Sequence, residues 1–147
     1  MLGEQDVTAT VESADEPVLG NIREEWVWVK RGIEEILAEQ PQLTFRPEDV
    51  YAACVNKEAL LWVAPEGFVI TLETHDEFTN RKTFFVWLAW AKKRGESCVI
   101  KYYPFFAQIA KQHGFFNVEV RTPFSGIEDY LLTEGWKKDT VIYTREL

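Results

Sequence analysis

Thr83 to Ala91 is an apolar run with no polar alternation, and it passes directly into Lys92-Lys93-Arg94-Gly95-Glu96-Ser97. A strand of that kind is buried on both faces, in the middle of a sheet rather than at its edge. The basic, glycine-containing turn after it leads into an apolar helix predicted over Cys98 to His113. A helix N-terminus offers unpaired N–H groups and the positive end of a dipole. Lys92, Lys93, Arg94, Gly95, Glu96 and Ser97 are therefore the candidate cofactor-binding residues, for a ligand carrying phosphate.

The elements around this unit follow from periodicity and punctuation. Asp6 to Glu12 alternates weakly and reads as a short edge strand, and Ser13 to Gly20 as a polar turn. Asn21 is a predicted N-cap, with Glu24 completing a capping-box pair. Ile22, Trp26, Val29, Ile33 and Ile36 or Leu37 mark the apolar face of the next helix, which Gly32 weakens and Pro41 stops. Trp28 falls off that face and, with Val27, forms an exposed apolar patch in this reading. Arg46-Pro47-Glu48-Asp49 opens a second helix. Leu60 to Ala64 and Phe68 to Thr74 read as strands of a hairpin around Pro65-Glu66-Gly67, followed by a polar loop from His75 to Arg81.

Pro104 falls inside the predicted Cys98–His113 helix, which must either start near it or kink there, since proline cannot donate to the carbonyl of Ile100. Gly114 ends that helix. Phe116 to Arg121 alternates as a strand, and a helical segment with Ile127, Tyr130 and Leu131 on one face ends at Gly135. Thr140 to Thr144 is a last predicted strand. The whole is one domain over residues 1–147, a mixed α/β (α+β) sheet flanked by helices, in the order β-α-α-β-β-β-α-β-α-β.

Composition narrows the function. The formal charge of −8 argues against a nucleic-acid partner, which needs a basic surface. No apolar run reaches the length of a membrane span and the acidic first residues do not form a signal peptide, so no membrane partner is expected. Cys54 and Cys98 are expected to be reduced, buried thiols. No His/Cys cluster has ligand spacing, so no metal is expected. His75 beside Asp76 has the composition of a dyad, although a solvent-exposed histidine is the simpler reading; His113 is expected to cap the last helical turn.

The order of elements, the Lys92–Ser97 turn and the ending Tyr130-Leu131-Leu132-Thr133-Glu134-Gly135-Trp136 resemble the GCN5-related N-acetyltransferase (GNAT) superfamily. In that superfamily the corresponding turn is a pyrophosphate loop of Gln or Arg, two residues, Gly, one residue, then Gly or Ala. The present chain keeps a cation and the glycine and has Ser97 at the last position. The resemblance implies acetyl-CoA as cofactor and a tyrosine as general acid toward the departing thiolate. That tyrosine stands four residues before the glycine in the family pattern; here Tyr130 stands one step earlier, about 100° away on a helix. Phe84 to Ala91 holds no carboxylate to serve as general base, and the nearest acids in sequence are Glu73, Asp76, Glu77 and Glu96.

Trp26-Val27-Trp28-Val29-Lys30-Arg31-Gly32, Arg46-Pro47-Glu48-Asp49-Val50-Tyr51, Leu60-Leu61-Trp62-Val63 and the C-terminal Tyr143-Thr144-Arg145-Glu146-Leu147 are also similar to small GNAT-like proteins encoded by tailed bacteriophages. That similarity implies a location in the host cytoplasm or the virion, other virion or assembly proteins as partners, and a role by protein–protein contact. The alternative reading is an active acetyl-CoA-dependent N-acetyltransferase.

Overall fold

The computed structural model describes residues 16–147. Its sheet has five strands in the order β1-β2-β3-β4-β5. The strands are β1 (Val18–Leu19), β2 (Ala59–Ala64), β3 (Gly67–His75), β4 (Lys82–Ala91) and β5 (Asn117–Val120). Pairing is antiparallel from β1 to β4 and parallel between β4 and β5. The helices are α1 (Ile22–Glu39), α2 (Pro47–Val55), α3 (Cys98–Gln112) and α4 (Glu128–Thr133), the last preceded by a 3-10 turn at Ser125–Ile127. The mixed sheet flanked by helices is the fold class read from the sequence. The strand expected over Asp6 to Glu12 lies outside the described residues.

Two departures concern strands. Val18 and Leu19 fall in the expected polar turn, yet they pair with Val63 and Trp62 as a two-residue edge strand. So short a strand has no period of its own and exists only because β2 offers a free edge. Conversely, Thr140 to Thr144 forms no strand: the chain from Lys137 to Leu147 is exposed and pairs with no strand among the described residues, its Lys138 held by Glu128 at 3.3 Å. Its β-branched pattern supplies propensity, but a strand needs a partner edge to become one.

The sheet carries a core on each face. On one, Ile22, Val29, Ile33 and Ile36 of α1 and Val50 of α2 meet Leu61, Phe68, Ile70 and Leu88. On the other, Tyr102, Phe106 and Ala110 of α3 meet Trp62, Val69, Phe84 and Val86. Asn21 caps α1 by accepting from the Arg23 N–H at 2.9 Å. Gly32 is required by the packing of that helix: a Cβ there would lie 2.6 Å from the Phe68 ring and 2.8 Å from that of Trp90. Trp28 packs against the rings of Phe68 and Trp90 at 5.8 and 6.2 Å, so the expected exposed patch reduces to Val27 alone.

Candidate functional site

β4 is flanked by β3 and β5, and Phe84 to Val86 and Leu88 are buried, as the unbroken apolar run requires. It is not regular, however. Val86 pairs with Thr71 and Leu88 with Ile70, which leaves Trp87 as a bulge. The extra residue reverses the alternation, so Val86 faces α3 while Trp87 and Leu88 both join the α1–α2 side. A continuous apolar run conceals such a bulge, since every residue in it fits either face.

The bulge sits where the parallel pairing stops. β5 accompanies β4 from Thr83↔Asn117 to Val86↔Val120 and no further. From Trp87 to Ala91 this edge of β4 has no strand beside it among the described residues. Beyond Ala91 the chain enters the Lys92–Ser97 turn and then α3. Where the pairing stops stand Glu119 and Arg121, paired at 2.7 Å, with the Arg121 guanidinium 4.5 Å from the Phe85 ring centroid.

The six residues of the turn remain together as a contiguous loop. Gly95 has φ +87 and nothing within 4 Å of where a Cβ would stand, so the loop is open above it. Its cations are partly engaged: Arg94 binds Glu39 at the end of α1 at 3.0 Å, and the Lys92 ammonium lies 5.7 Å from the Trp28 ring centroid. The Ser97 hydroxyl caps α3 by accepting from Ile100 N–H at 3.2 Å. The first-turn N–H groups of Cys98 and Val99 have no partner within the helix. Steric room, free amides and cations fit a pyrophosphate. Glu96, which lines the cleft beside them, opposes one.

Three residues that the motif does not contain fasten this loop. The Glu66 carbonyl, in the β2–β3 turn, accepts from Lys92 N–H at 2.8 Å. Its carboxylate accepts from Tyr102 hydroxyl at 2.6 Å and from the Lys101 ammonium. Those two donors hold the Glu66 carboxyl below the usual range, and the carboxylate in turn raises Lys101. Burial, followed by the hydrogen bond to Glu66, pushes Tyr102 up to about 12. Tyr102 reaches Glu66 from the kink of α3, where its φ of −105 and ψ of 15 depart from helix two residues before Pro104. Of the two alternatives the proline left open, the kink is the one adopted. Glu66, Glu96, Ser97, Ile100 and Lys101 line a cleft of about 220 Å³ beside the α3 N-terminus. Sequence distance hid Glu66 and Tyr102; the only local signals were the tight Pro65-Glu66-Gly67 turn and a tyrosine just ahead of an intrahelical proline.

The other candidates are dispersed. Tyr130 stands on α4, 44% exposed, and the end of that segment is held by Trp136 against Tyr103 of α3, centroids 5.1 Å apart. His75 pairs with Glu73 at 3.0 Å, not with Asp76, whose carboxylate accepts from Phe78 and Thr79 N–H and is thereby lowered. His113 takes the expected capping place, Nδ1 2.9 Å from the Ile109 carbonyl. Burial pushes the Cys54 and Cys98 thiols up to about 11; Cys98 is buried and Cys54 half-buried. Among the described residues no group of three or more His, Cys, Asp or Glu is placed to hold a metal, and no helix is long and apolar enough to cross a membrane.

No protein-family model matches the chain, and no curated protein does. Solved structures match over nearly all of it. A provisionally assigned acetyl transferase from Pyrococcus furiosus superimposes with a TM-score of 0.68 at 16% identity, over 90% of this chain and 100% of its own. A ribosomal-protein-alanine N-acetyltransferase from Brucella melitensis gives 0.58 at 16% identity, over 90% of this chain and 99% of its own. An aminoglycoside acetyltransferase from an uncultured soil metagenomic sample, solved with sisomicin, gives 0.63 at 12% identity, over 90% and 94%. The chain has the fold of these acetyltransferases, the fold the GNAT resemblance implied.

Proposed function

We propose that this chain binds an acyl-CoA along the unpaired Trp87–Ala91 edge of β4 and transfers the acyl group to an amine. One observation carries the reading: pairing of β4 with β5 ends at Val86 and Val120, at the Trp87 bulge, and the free edge of β4 leads straight to the open Gly95 turn and the α3 N-terminus. The bound thioester would supply an activated acyl carbon. The amides of Gly95, Ser97, Cys98 and Val99 would hold its pyrophosphate, that of Glu96 being bonded to the Lys93 carbonyl, with Lys92 and Lys93 as cations. Transfer forms the N–C bond and breaks the C–S bond; the proton lost by the attacking amine passes through water to the leaving coenzyme A thiolate. Calorimetric titration with acetyl-CoA tests binding. Gly95→Glu puts a Cβ at φ +87 and a carboxylate into the loop and should weaken affinity at least tenfold, about 1.4 kcal/mol. No heat and no thermal shift at millimolar acetyl-CoA would sink the proposal.

A second reading keeps the fold for contact rather than chemistry, as a bacteriophage protein joined to other virion or assembly proteins in the host cytoplasm or the particle. The exposed side chains of Val141, Ile142 and Tyr143 favour it. Failure to co-sediment with purified particles would remove its basis.

A further inference from the structure

The parallel ladder carries two charged side chains to the Trp87 bulge. Glu119 pairs with Phe85, one step before the pairing ends at Val86 and Val120. Phe84, Val86, Val118 and Val120 belong to the α3-side core, so Phe85, Glu119 and the next alternate residue, Arg121, fall on the other face. The bulge turns Trp87 to that face as well. Glu119 accepts from Arg121 Nε at 2.7 Å, and the guanidinium lies over the Phe85 ring at 4.5 Å. That bond uses a single donor of the guanidinium fork. Among the described residues the outer Nη edge of Arg121 and the second oxygen of Glu119 have no partner. The side chains are 66% and 33% exposed, so both are accessible where the strands part.

We infer that Glu119 and Arg121 form an acceptor subsite that takes an α-amino acid, its amine on Glu119 and its carboxylate on the Nη edge of Arg121. The place of this subsite in the reaction rests on the acyl-CoA reading. With the pyrophosphate at the Gly95 turn, the thioester falls at the far end of the free β4 edge. That end is Trp87, about 13 Å along the strand from Ala91, and the ion pair stands beside it. The chemistry then selects the acceptor. A guanidinium edge takes a carboxylate through two parallel bonds, and a carboxylate oxygen takes an ammonium. Because Glu119 and Arg121 touch, the two groups they hold must also be neighbours, as they are on the single α-carbon of an amino acid. A polyamine has no anion for Arg121, and a peptide N-terminus has an amide where the carboxylate is needed. The acceptor arrives as an ammonium and releases one proton to solvent before it attacks. The second proton leaves as the N–C bond forms and passes through water to the thiolate as the C–S bond breaks. The carboxylate absent from Phe84 to Ala91 is thus supplied by the neighbouring strand, not by Glu73, Asp76, Glu77 or Glu96.

Two measurements on the full chain test this. The first needs no acetyl-CoA: the Arg121 Nε–H resonance, assigned by its loss in Arg121→Gln, is followed on adding each common L-amino acid and, beside it, the matching α-amide. At least one amino acid should shift it with an affinity about tenfold or more above that of its amide. The second is thiol release from acetyl-CoA with the same pairs, where kcat/KM should favour the acid by about the same factor. Arg121→Gln alters a largely exposed side chain and should keep the wild-type far-UV ellipticity, while it erases the preference by slowing the acid alone. Glu119→Gln should slow acid and amide together. An Arg121 resonance that responds to no amino acid overturns the inference, and so does equal thiol release with acids and amides. A selective shift without thiol release and without acetyl-CoA heat upholds the amino-acid subsite and removes the acyl-CoA reading instead.

Discussion

The Glu66 carboxylate accepts from Tyr102 and Lys101 while its carbonyl accepts from Lys92 N–H. One residue of a hairpin turn thus anchors both ends of the candidate phosphate loop, the exit from β4 and the first turns of α3. Glu66→Gln keeps the shape but removes the charge that both donors address. Charge-assisted bonds of this kind are stronger than neutral ones, but Lys101 is 55% exposed and solvent screens it, so a loss of about 1 kcal/mol is expected. The loss should depend on pH. A carboxyl whose folded value is lowered contributes its full stability above the unfolded value, here near 4.5, and loses it as pH falls through the folded value. Thermal midpoints of wild type and Glu66→Gln should therefore differ at neutral pH and converge as acidification passes through the lowered folded value. A gap that persists unchanged to low pH would show that the carboxylate is not its source.

At the scale of elements, helix α1 lies so close to β3 and β4 that residue 32 has no room for a side chain. In isolation Gly32→Ala would favour the helix by about 1 kcal/mol. Here the new methyl meets the buried Phe68 ring and the Trp90 ring below 3 Å, and neither ring is the free end of a flexible chain. Overpacking of this kind costs about 1 to 3 kcal/mol, so the variant should have a lower denaturant midpoint than wild type. A higher midpoint would mean that the rings yield without cost. Ser97→Ala is a milder change at the start of α3: it removes the acceptor for Ile100 N–H and should cost about 1 kcal/mol, read from the same midpoint. Both residues stand out in the sequence, but not for these roles. Ser97 is read there as the last position of the phosphate loop, and its capping of α3 emerges only once the helix start is fixed. The need for Gly32 arises from rings 36 and 58 positions further on, and periodicity assigns it only a weak helix.

The same division between local and distant holds for the whole molecule. The hairpin around Pro65-Glu66-Gly67, the kink imposed by Pro104 and the Lys92–Ser97 turn are written in adjacent residues, and each stands where the sequence places it. The Trp87 bulge, the two-residue β1, the Glu66–Tyr102 bond and the unpaired Thr140–Thr144 depend on which strand lies beside which, and pattern alone does not contain that. What the assembled sheet adds is a coupling between its two faces. β2 gives Leu61 to one core and Trp62 to the other; β3 gives Phe68 and Val69; β4 gives Leu88 and Val86. Neither core can dissolve without releasing strands that the other packs on, so the two should unfold together. Phe106 lies 1% exposed in the α3-side core, against Trp62 and Phe84, on the opposite side of the sheet from Trp26, Trp28 and Trp90. Phe106→Ala should destabilise by about 3 to 5 kcal/mol through the cavity it leaves. Because the cores share strands, the loss should move the tryptophan-fluorescence transition of the far face, read in a Trp62→Phe, Trp136→Phe background that silences the α3 side, as much as the far-UV ellipticity transition. If the two separate in the variant, with fluorescence of the α1–α2 face surviving to higher denaturant, the sheet does not couple its faces and each layer is stable on its own.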